Sequence, residues 1–305
     1  MRYTVVLTAE FPAIATSLLS PHFDVIAHPT EHDRTEDDMI TMLAEADAAI
    51  VLLSDPITRR VLEANPNLRI VSNLAVGYNN IDLDAARELG VTITNTPGVL
   101  TEATADLTMA LILATTRRIA EGDAHIREHG RCEWEPLAFL GASLQGKKLG
   151  ILGMGRIGTA VATRARPFGM DILGVRSGQS LEELLATSDI LSLHVPLSRE
   201  THHIIDAAAL AKMKPGAYLI NTARGPLVDE EALCDALESG HLRGAGLDVY
   251  EHEPRVNPRL LGLKNVVLLP HIGSATEETR NAMARIAATN VLLFLGGAEP
   301  LHRVV

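Results

Sequence analysis

The chain has 305 residues, of which 47% are apolar and 21% charged, and its formal net charge is −11. It is long enough for two domains with buried cores, and its acidic balance argues against nucleic acid or an anionic membrane surface as the main partner. Its two cysteines give no disulfide framework, no apolar run reaches the about 18 residues of a membrane helix, and the first residues enter a strand pattern instead of a signal peptide. We therefore expect a cytoplasmic protein.

The first 98 residues alternate short apolar runs with helical patterns, which predicts βα units on a parallel sheet. Strands are predicted at residues 4–7, 24–27, 48–53, 69–73 and 91–94. Helices are predicted between them, for example at 36–45 and at 83–89, where Gly90 is the expected C-cap. The acidic run at 31–38 is interpreted as a solvated helix start with favourable N-terminal carboxylates. We predict no metal site.

The middle of the chain begins with a break at Asn95-Thr96-Pro97-Gly98. A long apolar helix is predicted after it, at about residues 101–119. The segment 122–146 is less periodic and carries the only tryptophan, Trp134. A connection of that length without clear structure is typically functional or lies on a partner, so we interpret it as an arm.

The βα alternation resumes at Lys148. Strands are predicted at 149–152, 171–175, 190–194, 217–221, 244–249 and 266–269, with helices at 156–165, 181–185, 207–212 and 230–238. Six strands with intervening helices predict a doubly wound sheet. A last helix at 277–295 is too long merely to finish that sheet and is expected to return to the first domain. The predicted domains are 1–98 with 288–305, and 99–287.

A glycine turn follows the strand at 149–152, in the order Gly153-Met154-Gly155-Arg156-Ile157-Gly158, and runs into an alanine-rich helix. This layout is typical of a dinucleotide-binding fingerprint. The first glycine permits the turn, the second lets the backbone approach a pyrophosphate, and the third lets the helix pack on the strand. The first N–H groups of the helix, at Arg156 and Ile157, face the phosphates in such a site.

Three chemically active side chains follow other strands of the same predicted sheet, namely Arg224, Glu253 and His271. Ligands of open parallel sheets gather beyond the carboxyl ends of the strands. Each residue alone is compatible with a surface charge or a cap. Together, at three strand ends of one sheet, they indicate a ligand site.

Several motifs in order along nearly the whole chain resemble the D-isomer-specific 2-hydroxyacid dehydrogenase family, and most closely its glyoxylate/hydroxypyruvate reductase branch. They are the glycine turn, Val76-Gly77-Tyr78-Asn79-Asn80-Ile81-Asp82, Asn95-Thr96-Pro97-Gly98, Asn221-Thr222-Ala223-Arg224-Gly225, Asp248-Val249-Tyr250-Glu251-His252-Glu253-Pro254 and Pro270-His271-Ile272-Gly273-Ser274. The resemblance implies an α/β fold of two domains, a doubly wound Rossmann cofactor domain and a smaller flavodoxin-like substrate domain. A homodimer is also implied.

The resemblance implies three catalytic roles. Arg224 would hold the 2-oxo acid, because its planar fork suits a carboxylate and the adjacent carbonyl oxygen. His271 would give a proton to the carbonyl oxygen as hydride arrives, and also contacts the substrate. Glu253 would accept a hydrogen bond from the other ring nitrogen and favour the imidazolium.

Binding roles are implied for further residues. The backbone around Val76 and Gly77 would bind the substrate carboxylate, and Asp248 would contact the nicotinamide carboxamide. The remaining residues expected to line the cofactor are Val195, Pro196, Thr222, Ala223 and Gly273. His194, His252, His202 and His203 receive no catalytic role, and the last two are interpreted as part of a solvated turn.

The end of the second strand of the cofactor domain discriminates between NAD and NADP. An acid there binds the ribose hydroxyls, whereas an arginine accepts a 2′-phosphate. The chain places Arg176 and Ser177 at this point, 18 residues after Gly158, and has no acid at the strand tip. We favour NADP(H), with NAD(H) as the alternative.

The sequence thus predicts NAD(P)H-dependent reduction of a small 2-oxo acid, glyoxylate or hydroxypyruvate, to the D-2-hydroxy acid. Alternatives within the family are a phosphoglycerate-type or a 2-ketogluconate-type dehydrogenase. A formate dehydrogenase would place glutamine where Glu253 stands. The alternative outside catalysis is a nucleotide-sensing, corepressor-like scaffold. Trp134 is equally compatible with contact to a partner subunit and with burial in the core.

Overall fold

A computed structural model describes residues 2–31, 33–176 and 180–305. The chain divides into two compact units, one of residues 1–100 with 274–305 and one of residues 101–273. Each unit contains one parallel sheet. The two-domain α/β architecture predicted from the sequence is therefore confirmed.

The first unit has the strand order β2-β1-β3-β4-β5, which is the flavodoxin-like order. Its strands are β1 (Thr4–Leu7), β2 (Asp24–Ala27), β3 (Ala48–Val51), β4 (Ile70–Asn73) and β5 (Thr92–Thr94). Its helices are α1 (Ile14–Leu19), α2 (Glu36–Leu43), α3 (Arg59–Ala64), α4 (Leu83–Leu89) and the C-terminal helix Glu277–Leu295. The strands β3, β4 and β5 are buried throughout, as expected for a parallel sheet covered on both faces.

The acidic run begins α2, as predicted. Thr35 is the N-cap and forms a capping box with Asp38, in which the Thr35 hydroxyl accepts the Asp38 N–H at 3.3 Å and the Asp38 carboxylate accepts the Thr35 N–H at 2.8 Å. Gly90 ends α4 with φ +73°, the left-handed conformation expected of a C-cap glycine.

The second unit has the strand order β11-β10-β9-β8-β6-β7. Its strands are β6 (Lys148–Leu152), β7 (Asp171–Val175), β8 (Ile190–Leu193), β9 (Ala217–Asn221), β10 (Leu242–Leu247) and β11 (Val266–Leu268). Its helices are α5 (Thr101–Thr116), α6 (Ile119–His129), α7 (Arg156–Ala165), α8 (Glu182–Thr187), α9 (Ala207–Lys212), α10 (Glu230–Glu238) and α11 (Pro258–Gly262). Because β7 lies on one side of β6 and β8 on the other, the chain reverses direction across the sheet between β6 and β8, which is where doubly wound folds bind ligands.

The predicted helix at 101–119 ends earlier than predicted, and the irregular segment is shorter than the arm predicted at 122–146. α5 stops at Thr116, and Arg118 adopts φ +54°, which breaks the helical path. The Arg118 side chain binds Glu121 through two N–H···O bonds of 2.7 Å, and α6 continues to His129. Only the segment after Gly130 has the irregular structure that was predicted from residue 122.

The C-terminal helix lies entirely in the first unit. Its residues Met283, Ala284 and Ala287 are buried in the same core cluster as Val5 and Leu7 of β1. The predicted boundary at 287/288 falls inside this helix, whereas the chain divides between the two compact units at 273/274. The helix belongs to the first unit along its whole length because apolar residues near its start, such as Met283, already pack in the core of that unit.

Candidate active site

The turn between β6 and α7 carries the three predicted glycines, and each has a different environment. Gly153 has φ +105°, and a Cβ there would lie 2.6 Å from the backbone carbon of His194. A Cβ on Gly158 would collide with the carbonyl oxygen of Gly153. A Cβ on Gly155 would meet no described atom within 4 Å. Packing inside the protein therefore requires glycine at 153 and 158 but not at 155, where close approach of a bound phosphate supplies a reason.

α7 begins with Gly155 as an N-cap that has no side chain, and its first turn contains no acid. The first N–H groups of a helix, here from Arg156 onward, have no intrahelical partner and lie at the positive end of the helix dipole. The turn itself is held by the N–H groups of Gly153 and Met154, which donate to the carbonyl oxygen of Val175 at 2.8 and 3.2 Å. This end of the unit therefore fits an anionic pyrophosphate.

The loop after β8 borders the glycine turn, which places Val195 and Pro196 at the switch point of the sheet. Val195 is buried, and Pro196 is exposed. His194 donates its backbone N–H to Leu152 at 2.7 Å, and its Nε2 lies 2.8 Å from the Ser192 hydroxyl. Burial lowers the pKa of His194 to about 4, so this ring is neutral at physiological pH.

Arg224 follows β9 and is partly buried. Burial lowers the pKa of its guanidinium, and the negative charge of Glu253 opposes that shift. Nη1 donates to the carbonyl oxygen of Ala223 at 2.6 Å, and the carbonyl oxygen of Arg224 accepts from the Asn221 side chain at 2.8 Å. A partly desolvated cation beside one carboxylate attracts an anionic ligand more strongly than a solvated surface arginine does.

Glu253 and His271 form a direct pair, in which Oε2 of Glu253 lies 2.9 Å from Nδ1 of His271. The other oxygen of Glu253 accepts the backbone N–H of Tyr250 at 2.9 Å. Burial acts to raise the pKa of Glu253, but the hydrogen bond and charge of His271, the Tyr250 N–H and Arg224 outweigh it and hold that pKa below its usual value. The His271 side chain is 36% exposed, so the ring remains accessible to a ligand. The structure thus brings Arg224, Glu253 and His271 together.

Asp248 lies at the end of β10, beside the strand end that leads to His271. Its Oδ1 accepts the N–H of Ile272 at 2.7 Å, and its Oδ2 accepts the N–H of Gly273 at 2.8 Å. Burial raises the pKa of Asp248, although these two N–H groups and the charge of His271 act against that shift. This backbone-anchoring role was not predicted, because the family resemblance pointed only to a cofactor contact.

Two threonines of α5 belong to the same site and were missed in the sequence. The hydroxyls of Thr108 and Thr222 lie 2.8 Å apart, and Thr104 donates to the carbonyl oxygen of Gly273 at 3.1 Å. Ala223, between Thr222 and Arg224, donates its N–H to the Asn221 side chain at 3.0 Å. The signal available was the spacing of four residues between Thr104 and Thr108, which places both hydroxyls on one face of the helix.

Val76 and Gly77 lie in the first unit, in the loop after β4. The Asn95 side-chain amide donates to the carbonyl oxygen of Val76, and the Asn73 amide donates to that of Gly77, both at 2.8 Å. A trans peptide points its C=O and N–H in opposite directions, so the Gly77 N–H points away from Asn95. Two asparagines therefore fix the orientation of the predicted carboxylate-binding peptides.

Arg176 follows β7 directly and is exposed, which is the position expected of a residue that reads the ribose. Ser177, the second residue assigned to this role, lies outside the described residues. Asp171, at the opposite end of β7, is the only acid of that strand.

His203 is not part of a freely solvated turn, which corrects the prediction from sequence. Its Nε2 lies 2.7 Å from Oε1 of Glu251, and its backbone adopts φ +49°. Glu251 is bonded in turn to Glu230 of α10. These residues are far apart in sequence, so no spacing pattern could have grouped them.

Trp134 is 94% exposed, so its burial in the core, one of the two alternatives predicted from the sequence, is wrong.

Within the described ranges, no three His, Cys, Asp or Glu side chains cluster so as to hold a metal ion. The helices in that part of the chain are also too short or too polar to cross a membrane.

The comparison with known families identifies the class. Residues 109–273 match the family profile for the NAD-binding domain of D-isomer specific 2-hydroxyacid dehydrogenases. The chain belongs to this family, and it is an oxidoreductase of the 2-hydroxyacid dehydrogenase type.

Relatives resemble the chain over its full length. A glyoxylate reductase of Thermococcus litoralis is 44% identical over 321 residues, which cover 100% of this chain and 97% of that protein. A crystal structure of a protein from Thermus thermophilus has a TM-score of 0.93 at 44% identity and covers 99% of this chain and 100% of that one. An NADPH-dependent glyoxylate/hydroxypyruvate reductase from Sinorhizobium meliloti, crystallised with NADP and malonate, has a TM-score of 0.86 at 32% identity, covering 100% and 97% of the two chains.

Proposed function

We propose that this protein reduces a small 2-oxo acid, with glyoxylate or hydroxypyruvate preferred, to the 2-hydroxy acid, of D-configuration where a stereocentre arises. The observation that carries the proposal is the 2.9 Å contact between Nδ1 of His271 and Oε2 of Glu253, together with the positive charge of Arg224, which acts on the Glu253 carboxylate. Full-length relatives at 44% identity that are glyoxylate reductases support the choice of substrate.

Arg224 binds and orients the substrate in this proposal. Its guanidinium offers paired N–H donors to a carboxylate and to the neighbouring carbonyl oxygen. The N–H groups around Val76 and Gly77 are the proposed carboxylate-binding groups of the first unit. A substrate without a carboxylate next to its carbonyl would lose the paired N–H donors of Arg224.

His271 donates the proton that the carbonyl oxygen receives, and Glu253 orients the ring by accepting a hydrogen bond from Nδ1. A reduced nicotinamide held by the cofactor-binding residues would supply the hydride. The carbonyl oxygen gains negative charge during reduction, so the cations of Arg224 and His271 stabilise the transition state more than the neutral ground state. In the reverse direction His271 takes the proton back.

The glycine turn and the first turn of α7 would hold the pyrophosphate of the cofactor. Val195, Pro196, Thr222, Ala223, Asp248 and Gly273 would line the rest of that site. Arg176, at the end of β7, favours NADPH over NADH because it can pair with a 2′-phosphate.

The direct test measures loss of the reduced-nicotinamide absorbance while a panel of 2-oxo acids is offered with NADPH and with NADH. We expect turnover with glyoxylate or hydroxypyruvate, faster with NADPH. The panel also contains 2-ketogluconate and the 2-oxo form of phosphoglycerate, and a preference for either would replace the proposed substrate. Inactivity toward every acid, with cofactor binding shown by fluorescence, would favour the scaffold alternative.

His271→Ala tests the catalytic assignment. We expect turnover to fall by about 10²–10⁴-fold while NADPH still binds, because the variant removes proton transfer but not the glycine turn. His22→Ala, an exposed histidine of the first unit, is the matched control and is expected to retain activity. Unchanged turnover in His271→Ala would contradict the assignment.

We also infer a homodimer that uses the segment after Gly130. Trp134 and Leu137 are 94% and 79% exposed, which is unusual for large apolar side chains on one short segment. The double variant Trp134→Lys with Leu137→Lys is expected to sediment as a monomer. The control Leu261→Lys changes a 66% exposed leucine elsewhere and is expected to remain dimeric, and a monomeric wild type would refute the inference.

A further inference from the structure

A second set of side chains lies directly behind the turn that carries Glu253. Oε1 of Glu230 accepts the backbone N–H of Glu251 at 2.7 Å, and Oε2 of Glu251 accepts the backbone N–H of Glu230 at 3.3 Å. Oε1 of Glu251 lies 2.7 Å from Nε2 of His203. Each glutamate thus accepts the backbone N–H of the other, and His203 contacts the second oxygen of the Glu251 carboxylate.

These contacts join two loops of the site. His203 donates its backbone N–H to the carbonyl oxygen of Pro226 at 2.9 Å, in the loop that begins at Arg224. In the same loop Gly225 lies so close to the turn at Tyr250 that a Cβ would collide with the Tyr250 carbonyl. The loop of Arg224 and the turn of Glu253 are therefore held against each other by a hydrogen-bond set and by close packing.

The environment of Glu230 is unusual for a carboxyl group. Only 4% of the residue is exposed, and burial raises the pKa of Glu230, an effect that the charge of Glu251 reinforces and that the hydrogen bond from the Glu251 N–H and the neighbouring His252 oppose. Burying a carboxyl group costs free energy unless its oxygens are hydrogen-bonded. Here one oxygen is used to fix the peptide of Glu251, two residues before Glu253.

We propose that Glu230, Glu251 and His203 are positioning residues, which fix the Tyr250–Glu253 turn so that the Glu253 carboxylate meets His271 and stays near Arg224. This inference rests on the proposed reductase function, because it assigns these residues to the same reaction. None of the three is proposed to contact substrate or cofactor. Their effect is transmitted through the backbone N–H of Glu251 and through the Tyr250 N–H that binds Glu253.

The kinetic test uses matched variants on α10 and on the His203 turn. Glu230→Ala removes the acceptor and is expected to lower kcat about tenfold with KM changed by less than about twofold, since small displacements of catalytic groups mainly affect the chemical step. Glu230→Gln keeps a side-chain oxygen that can accept the Glu251 N–H, and is expected to retain at least half of kcat. His203→Ala, at a partly exposed residue, is expected to lower kcat in the same way.

Glu231→Ala is the control, because Glu231 is the next residue of the same helix and binds Arg259 at the surface instead of the turn. It is expected to behave as wild type. Wild-type kcat in both Glu230→Ala and His203→Ala would overturn the proposal. An equal loss in Glu230→Gln and Glu230→Ala would also overturn it, because the acceptor would then not be the relevant feature.

A readout without turnover separates this inference from the proposed function. Hydrogen exchange followed by mass spectrometry is expected to show faster exchange of the peptide containing Tyr250–Glu253 in Glu230→Ala, with α10 itself still protected. If wild type reduces none of the 2-oxo acids but this exchange increases, the proposed function fails and the positioning role stands. If wild type is active and the exchange is unchanged in the folded variant, the positioning role fails.

Discussion

Asp248 binds the backbone that follows His271, accepting the N–H of Gly273 at 2.8 Å with Oδ2 and that of Ile272 at 2.7 Å with Oδ1. His271 itself has φ +55°, a left-handed conformation that costs a non-glycine residue about 1–2 kcal/mol. The two hydrogen bonds to a buried carboxylate offset that cost. The orientation of the His271 ring therefore depends on Asp248 as well as on Glu253.

Asp248→Asn is accordingly expected to damage both stability and activity. An amide presents an NH₂ group to one of the two backbone N–H donors, which leaves that donor unsatisfied at a cost of about 1–3 kcal/mol. Urea denaturation and kcat measure the two effects. Asp171→Asn, at an exposed position that begins β7, is the control, and a fully stable and active Asp248→Asn would show that the carboxylate does not anchor the loop.

The glycines of the fingerprint are expected to separate into two groups. Gly158→Ala should destabilise the cofactor-free protein, because the new Cβ collides with the Gly153 carbonyl oxygen. Gly155→Ala should leave the melting temperature unchanged, since its Cβ meets no described atom within 4 Å, but should weaken NADPH binding. Calorimetry without cofactor and titration with NADPH test the pair, and unimpaired NADPH binding by Gly155→Ala would contradict the phosphate assignment.

Glu253 makes a pH-dependent contribution to stability. Burial acts to raise its pKa, but His271, Tyr250 and Arg224 hold that pKa below the ordinary value of 4.5, so folding favours the ionised form. The stabilisation is therefore complete above the unfolded pKa and is lost as the pH falls through the folded pKa.

The melting temperature of wild type should accordingly exceed that of Glu253→Gln at neutral pH, and the difference should narrow below pH 4.5. Glu182→Gln, whose side chain is 82% exposed, should show a difference near zero throughout. A difference between wild type and Glu253→Gln that widens in acid would contradict this argument.

Cofactor preference should depend on Arg176. Arg176→Asp is expected to weaken NADPH binding about tenfold or more. The variant loses a hydrogen-bonded charge pair with the 2′-phosphate, which is worth about 1.5–3 kcal/mol, and the new aspartate repels that phosphate. NADH binding should change much less. Dissociation constants from fluorescence titration provide the comparison, and equal losses for both cofactors would remove the argument for NADPH.

The first unit contains a buried ion pair, and we expect its loss to lower the free energy of unfolding more than the loss of a surface ion pair does. Arg34 and Asp55 lie 3.3 Å apart with only 2% of each side chain exposed. Arg34→Met leaves a buried carboxylate without its cation and is expected to cost about 3–5 kcal/mol of the free energy of unfolding. Arg60→Met breaks a surface pair at a side chain that is 59% exposed and should lower the free energy of unfolding much less, because solvent screens an exposed ion pair. Equal effects of the two substitutions would refute the distinction.

Local patterns were sufficient for much of the fold. The strand Asp171–Val175 and the helices Arg156–Ala165 and Glu230–Glu238 have the predicted bounds. Their apolar periodicity and their caps lie within each segment, so no distant contact was needed to recognise them. The break at Arg118 was not predictable in this way, because a left-handed arginine has no distinctive sequence signal.

The sequence by itself determined that a glycine turn follows a buried strand and that an arginine, a glutamate and a histidine follow later strands of the same sheet. That information is local, and the parallel topology then requires the strand ends to meet at one edge. Only the tertiary structure decided that Gly155 faces open space while Gly153 and Gly158 are packed, and that Asp248 anchors the His271 loop. It likewise revealed Glu230 and His203 behind the Glu253 turn. The reason is physical: each of these relationships joins residues from different strands or helices, and a hydrogen bond or collision between them exists only once the chain has folded.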